Sequence, residues 1–220
     1  ETITCSITND DNAPGLTLVK VVDNDNGGTA VASSWTLTAT GPTGFSGAGP
    51  SVSNGAGFDA GVYDLSESAA LPGYTNGSVW VCVGGTQNDD DTVTLGLGQS
   101  ATCTIHNTDN APSLTLVKVV DNNFGGTAVA SSWTLTATGP TGFSGAGPSV
   151  SNGASFDAGT YDLSESAAPS GYTNGTVWVC TGTGTQNDDD TVTLDLGESA
   201  PCTIHNADQP AEIHGQQFED

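Results

Sequence analysis

Arginine and methionine are absent from this chain, and its only lysines, Lys20 and Lys118, stand against 25 acidic residues for a formal net charge of −23. A nucleic-acid-binding protein must neutralise phosphates with basic side chains, so no nucleic-acid partner is expected. Attraction to an anionic lipid surface fails for the same reason. No apolar run approaches the roughly 18 residues that mark a membrane span, so membrane insertion is not expected. No segment carries a convincing 3.6-residue apolar period, which argues against amphipathic helices. The histidines adjoin no recognisable Ser or Cys nucleophile motif, and no Gly-rich phosphate loop opens a helix, so a hydrolase finds little support. Without a CxxC pair, metal ligation by cysteine is not expected either. A starting Met, a sorting motif and a hydrophobic tail are all missing. The expectation is a mature or excised portion whose anchor, where one exists, lies outside it.

What is present is β-rich. Charged residues are 12% of the chain, about half the usual share, and Thr, Ser, Asn and Gly carry the polarity. The apolar residues fall in patterned runs, which separates the chain from a disordered acidic tail. LTLVKVV, SSWTLTATG, GVYDLSES, SVWVCVG, DTVTLGLG and ATCTIHN alternate apolar with polar residues, and Gly, Asn, Asp and Pro clusters separate them. These runs predict strands. Asn-Gly in YTNGS and YTNGT predicts tight turns, which is the simpler account of two segments that also have the form of glycosylation sequons.

The runs occur twice. Lys20 maps to Lys118, Trp35 to Trp133, Glu67 to Glu165 and Cys82 to Cys180 at an offset of 98; after one inserted residue, Cys103 maps to Cys202 and Asn107 to Asn206. That period is too long for a solenoid repeat and fits a β-sandwich of roughly 100 residues. The start of the chain carries the pattern too: TITCSITNDDNAP matches ATCTIHNTDNAP, with Cys5 in the place of Cys103 and Asn9 in that of Asn107. Residues 1–12 therefore read as the last strand of a preceding module, or as a strand donated to a neighbour. Residues 13–109 read as a first antiparallel sandwich of about seven strands, 110–207 as a second, and 208–220 as a C-terminal extension. The short Pro-containing joints favour a semi-rigid arrangement.

The two lysines occupy the same point of the first strand. Flanking Val19, Val21 and Val22 make a fully solvated face hard to achieve, and a lysine turned to the core needs a partner or must lose its charge. Glu67 and Glu165 sit in YDLSESAA, placed opposite Leu or at a strand end, and Asn107 and Asn206 end the last strand. A Lys amine, a Glu and an Asn amide are the set that a spontaneous Lys–Asn isopeptide bond requires. The desolvated amine attacks the amide carbon, the acid shuttles protons, and ammonia leaves. Such a step acts once, on the protein itself, and does not make it an enzyme.

GVYDLSESAALPGY and GTYDLSESAAPSGY resemble the G-x-Y-x-L-x-E-x-x-x-P-x-G-Y signature of Cna protein B-type, or SpaA-like, prealbumin-fold domains. In the first copy Leu71-Pro72 replaces the Pro169-Ser170 order, which shifts the proline by one residue and leaves the Glu in place. The resemblance covers each module. It implies an all-β chain of two tandem Ig-like or prealbumin-like sandwiches, of the kind found as stalk and pilin modules of bacterial surface proteins. It implies Lys20, Glu67 and Asn107 as one isopeptide set and Lys118, Glu165 and Asn206 as the other. His106 and His205, beside the asparagines, lie outside the family pattern.

The repeat frame pairs Cys82 with Cys103 and Cys180 with Cys202, leaving Cys5 unpaired or intermolecular. Disulfides imply an oxidising, extracellular or cell-surface location. Closely spaced oxygens at Asp23, Asp25 and Asp121 make weak Ca²⁺ candidates, although the second copy, DNNFGG, has one carboxylate fewer; no other cofactor is expected. The function expected is a structural module of an extracellular bacterial stalk, fibre or filament, whose partners are other copies of the same module or chain, head to tail. The alternative is an adhesin that grips a host or surface ligand, with Ca²⁺ as its candidate cofactor. An adhesin should diverge between copies at its loop tips, and here the tips are almost identical.

Overall fold

The structure is a computed structural model that describes residues 1–212. It is all-β apart from two single 3-10 turns, at Ala32–Ser34 and Ala130–Ser132. Two compact units meet in sequence at Asp109–Asn110. The first contains β1 (Gly15–Asp23), β2 (Thr36–Thr40), β3 (Phe45–Ala48), β4 (Ser51–Ser53), β5 (Gly61–Glu67), β6 (Tyr74–Thr75), β7 (Val81–Gly84), β8 (Thr86–Gln87), β9 (Thr92–Leu95) and β10 (Ser100–Asp109). The second repeats them as β11 (Ser113–Asp121), β12 (Thr134–Thr138), β13 (Phe143–Ala146), β14 (Ser149–Ser151), β15 (Gly159–Glu165), β16 (Tyr172–Thr173), β17 (Val179–Cys180), β18 (Thr185–Gln186), β19 (Thr191–Leu194) and β20 (Ser199–Asp208).

Each unit is a pair of sheets. In the first, one sheet has the order β4-β1-β10, with β6 and β7 both pairing the far side of β10. The facing sheet has the order β3-β2-β5-β9-β8. The first and last strands, β1 and β10, lie side by side and run parallel from Gly15↔Ser100 to Asp23↔Thr108. The other ladders of the unit are antiparallel.

The two-residue period of a strand decides what enters the core. On β1 the inward set is Leu16, Leu18 and Lys20, and on β10 it is Ala101, Cys103, Ile105, Asn107 and Asp109. Leu37 and Ala39 of β2, Tyr63 and Leu65 of β5, and Val93 and Leu95 of β9 close the core from the other sheet. Burying each large side chain contributes about 1.5–3 kcal/mol before entropy is counted. Leu65 and Glu67 are two residues apart and share the inward face, so the expectation of opposite faces is corrected. The expected strand end holds, because Glu67 is the last residue of β5.

Strands β3 and β4 lie in FSGAGPSVS, which reads in sequence as a turn cluster. They form because Phe45 and Val52 are half-buried against the core. Gly47 leaves Val52 its space, since a Cβ there would stand 2.7 Å from Val52 Cγ2.

Residues 1–14 form no strand, and Ile3 and Ile7 are 85% and 90% exposed. A strand exists only where a neighbour supplies ladder hydrogen bonds, and in each unit that position is held by its own β10 or β20. Of the segment expected as a C-terminal extension, Asp208 ends β20, residues 209–212 are irregular, and 213–220 lie outside the described residues.

Candidate functional site

The two inner faces deliver three polar side chains to one point of each core. Lys20 follows Leu16 and Leu18 on β1, level with Ile105 of β10, and Asn107 is the next inward residue along β10. Glu67 comes from the opposite sheet, at the end of β5. The Lys20 side chain is fully buried and Glu67 nearly so, and Lys20 Nζ lies 2.7 Å from Glu67 Oε2. Asn107, fully buried, donates from Nδ2 to the same oxygen at 3.3 Å. Amine and amide nitrogen therefore meet on one carboxylate oxygen.

The ion pair is close but poorly aligned. Lys20 Nζ finds no partner of good hydrogen-bond geometry, and Glu67 Oε1 has none. Leaving such groups unsatisfied in a core is costly. Burial pushes the Lys20 amine below its ordinary value, against the pull of Glu67 beside it and of Asp23. Trp35, fully buried, forms a wall, with its ring centroid 5.3 Å from Nζ.

The amide of Asn107 is held at both ends. Nδ2 also donates to Asn76 Oδ1 at 2.8 Å, and Oδ1 accepts the Gly77 N–H at 2.8 Å. Asn76 is fixed in turn, accepting Trp35 Nε1 at 3.0 Å and donating to Ser68 O at 2.8 Å. Gly77 must be glycine, because a Cβ there would stand 2.2 Å from His106 O. Asn76 and Gly77 thus hold the amide, a role not legible in the Asn-Gly turn itself. The only available signal is that the dipeptide recurs in both copies.

The second unit repeats the set. Lys118 Nζ lies 2.7 Å from Glu165 Oε2, and Asn206 Nδ2 donates to that oxygen at 3.2 Å and to Asn174 Oδ1 at 3.0 Å. Gly175 N–H donates to Asn206 Oδ1 at 2.7 Å, and Trp133 stands 5.2 Å from the amine. Burial pushes the Lys118 amine down, again against Glu165.

Two disulfides are present, Cys82–Cys103 and Cys180–Cys202. Each joins residues directly opposite on an antiparallel pair, so a short, largely exposed strand is pinned to the central last strand. Cys5 is free and exposed, and Asn9 is exposed beside it in sequence.

The acidic residues weighed for Ca²⁺ do not converge. Asp23 pairs with His106 Nδ1 at 3.2 Å and Asp121 with His205 Nδ1 at 3.4 Å, while Asp25 is exposed beyond β1. In the second copy the loop turns the N–H groups of Asn123, Phe124 and Gly126 toward the Asp208 carboxylate, at 2.9, 2.8 and 2.8 Å. Burial would raise that carboxyl, but these donors outweigh it and hold it below its usual range. A loop that presents N–H groups to an anion is no cation cradle. Among the described residues no three His, Cys, Asp or Glu side chains form a metal-binding group, and no helix is long and apolar enough to cross a membrane.

A SpaA-type family model, described as a prealbumin-like fold domain, matches residues 11–105 and again 109–204. No curated protein sequence matches. Among solved structures, the Bacillus anthracis TIE protein is similar at 14% identity and a TM-score of 0.52, over 88% of this chain and 34% of that one. This chain therefore spans about a third of that protein's length. A C-terminal fragment of the pilus adhesin SpaC from Lactobacillus rhamnosus GG matches at 16% identity and a TM-score of 0.44, over 94% of this chain and all of the fragment. The N168A mutant of the major pilin from Streptococcus pyogenes matches at 13% and 0.41, over 90% of this chain and all of the pilin.

Proposed function

The chain belongs to the SpaA-type family of prealbumin-like fold domains, and on that premise we propose that it is a load-bearing part of an extracellular bacterial stalk or fibre. Each of its modules is locked by a Lys–Asn isopeptide bond. The observation that carries this reading is the duplicated constellation in which a buried lysine and a buried asparagine amide share one glutamate oxygen.

The chemistry follows from the contacts. The Lys20 ammonium passes a proton to Glu67 across 2.7 Å, and the free amine attacks Asn107 Cγ. Negative charge develops on Oδ1, where the Gly77 N–H already points, an oxyanion-hole arrangement. Glu67 returns its proton to Nδ2, the C–N bond breaks and ammonia leaves. Glu67 then takes the surplus proton from Nζ. The products are an amide, a protonated Glu67 and ammonia, so both buried charges are removed. A buried, poorly hydrogen-bonded ion pair is a weak contributor to stability, and replacing it with a neutral amide is favourable. Lys118, Glu165, Asn206 and Gly175 take the same parts.

The bond lies on the path of force. Tension enters at Gly15 and leaves at Asp109, at opposite ends of the parallel β1–β10 pair. It would shear that ladder. A Lys20–Asn107 bond carries the load through a few residues and bypasses everything between. The near-identical loop tips favour a repeated structural part over a ligand-gripping surface. The net charge of −23 keeps such fibres apart. Intact mass before and after reduction tests the proposal. Each isopeptide removes about 17 Da and each disulfide about 2 Da. A loss of about 34 Da that survives reduction supports it, and no such loss removes the covalent mechanism.

A further inference from the structure

Residues 2–11 repeat the chemistry of β10 without its setting. In register with β10, their inward set is Ile3, Cys5, Ile7, Asn9 and Asp11, matching Ala101, Cys103, Ile105, Asn107 and Asp109. On β10 every one of those positions is buried, Cys103 and Asn107 completely. On residues 2–11 every one is exposed. The alternate positions, Thr4, Ser6, Thr8 and Asp10, are polar, as Thr102, Thr104, His106 and Thr108 are on the outer face of β10. A segment that needed only to be a solvated tail would have no use for two isoleucines, a cysteine and an asparagine at these spacings.

Each inward residue has a defined counterpart in the module architecture. Cys103 lies directly opposite Cys82 on the antiparallel neighbour. Ile105 is level with the lysine on the parallel neighbour, and Asn107 meets the glutamate that the lysine contacts. Neither unit of this chain has that place vacant, because β10 and β20 fill it.

We propose that residues 2–11 are a competent last strand that completes a module of this same architecture lacking its own, with Asn9 as the amide that takes that module's lysine and Cys5 as the thiol that takes its cysteine. The covalent part at Asn9 rests on the isopeptide reading above; the strand pairing and the Cys5 disulfide do not. At Asn9 the Nζ–Cγ bond forms, the Cγ–Nδ2 bond breaks and ammonia leaves, with the module's glutamate relaying the protons. At Cys5 two thiols lose two electrons and two protons to a small-molecule disulfide, which is reduced to two thiols.

The test fuses a copy of residues 110–197 directly in front of Glu1. Glu1 then stands where Glu198 follows in the native module, and Cys5 where Cys202 does. In the fused chain the added module has a lysine, a glutamate and a cysteine but no last strand except residues 2–11. After exposure to oxidised glutathione, the expected result is three losses of about 17 Da that survive reduction, against two in the parent chain. In the parent Cys5 is either alkylated or carries a glutathione adduct; in the fused chain it is blocked, taking up neither alkylating reagent nor glutathione until it is reduced. Asn9→Ala in the fused chain should remove one mass loss and leave Cys5 blocked. Two losses with Cys5 still alkylated or carrying glutathione would overturn the proposal, whether the added module misfolds or folds without this strand. Two losses with Cys5 blocked would overturn the part assigned to Asn9. If the parent shows no mass loss while the fused chain still blocks Cys5, the isopeptide reading fails and the strand proposal stands.

Discussion

Replacing Asn107 with alanine in the first module, and leaving the second as an internal reference, separates the cross-link from the fold around it. The change removes the amide carbon that Lys20 would attack but keeps the Lys20–Glu67 contact at 2.7 Å. With the Cys82–Cys103 bridge intact, a Lys20–Asn107 link closes a loop of roughly 70 residues, which in the chain-entropy account stabilises the module by about 4.4 kcal/mol. The substitution also strands the Gly77 N–H, which donates to Asn107 Oδ1, at a further cost of about 1–3 kcal/mol. The total of roughly 5–7 kcal/mol corresponds to a melting point lower by several tens of degrees for a module of this size, at about 4–8 °C per kcal/mol. Calorimetry under non-reducing conditions should therefore resolve two transitions, one near that of the parent and one far below it. Intact mass should show one loss of about 17 Da instead of two. Trypsin supplies the independent readout. With no arginine, and with both lysines acylated as proposed, the parent should have no tryptic site even when denatured, whereas the variant should be cut after Lys20 once its first module melts. A denatured, reduced parent that trypsin cuts after Lys20 would refute the reasoning, as would a variant that melts within a few degrees of the parent.

Gly77→Ala places a Cβ 2.2 Å from His106 O, so the loop must move off β10 and lose its grip on Asn107; the cross-link of the first module should fail to form, seen as one mass loss instead of two. Cys82→Ala should lower the melting point of the first module by the equivalent of about 3 kcal/mol while both isopeptide mass losses persist, since the disulfide is remote from the lysine chemistry. In Asn107→Ala the Lys20 amine survives, and burial holds it below its ordinary value of 10.5. Between the folded value and 10.5 the unfolded chain binds the extra proton, so the stability of that module should rise with pH across the window. The parent, whose Lys20 the proposed bond would acylate, should show no such rise. Denaturant melts of both proteins from pH 7 to 9.5 read the difference, below the range where Tyr63, raised by burial, begins to ionise.

In LTLVKVV the lysine keeps step with Leu16 and Leu18, and in ATCTIHN the asparagine keeps step with Cys103 and Ile105, so a strand's two-residue period turns both inward once those neighbours are buried. The duplication located the cysteine pairs, and the scarcity of lysine singled out two positions. Strands β3 and β4 are not legible in FSGAGPSVS, because Gly, Ser and Pro are ordinarily turn formers and only the core beneath Phe45 and Val52 turns them into an edge. Of the two places YDLSES allows Glu67, the strand end holds and the face opposite Leu65 does not, because residues two apart on a strand share a face. Asn76 and Gly77 were legible only as a turn. Their hold on the Asn107 amide depends on which strand passes beneath them, and local sequence does not encode that. By itself the sequence determined two β modules, their disulfide frame and the residue types of the buried Lys–Glu–Asn set. The tertiary structure decided that β1 and β10 are parallel neighbours, that Glu67 reaches them from the opposite sheet, and that amine and amide converge on one carboxylate oxygen. Those relations join residues far apart in the chain, and the packing of one sheet on the other fixes their distances.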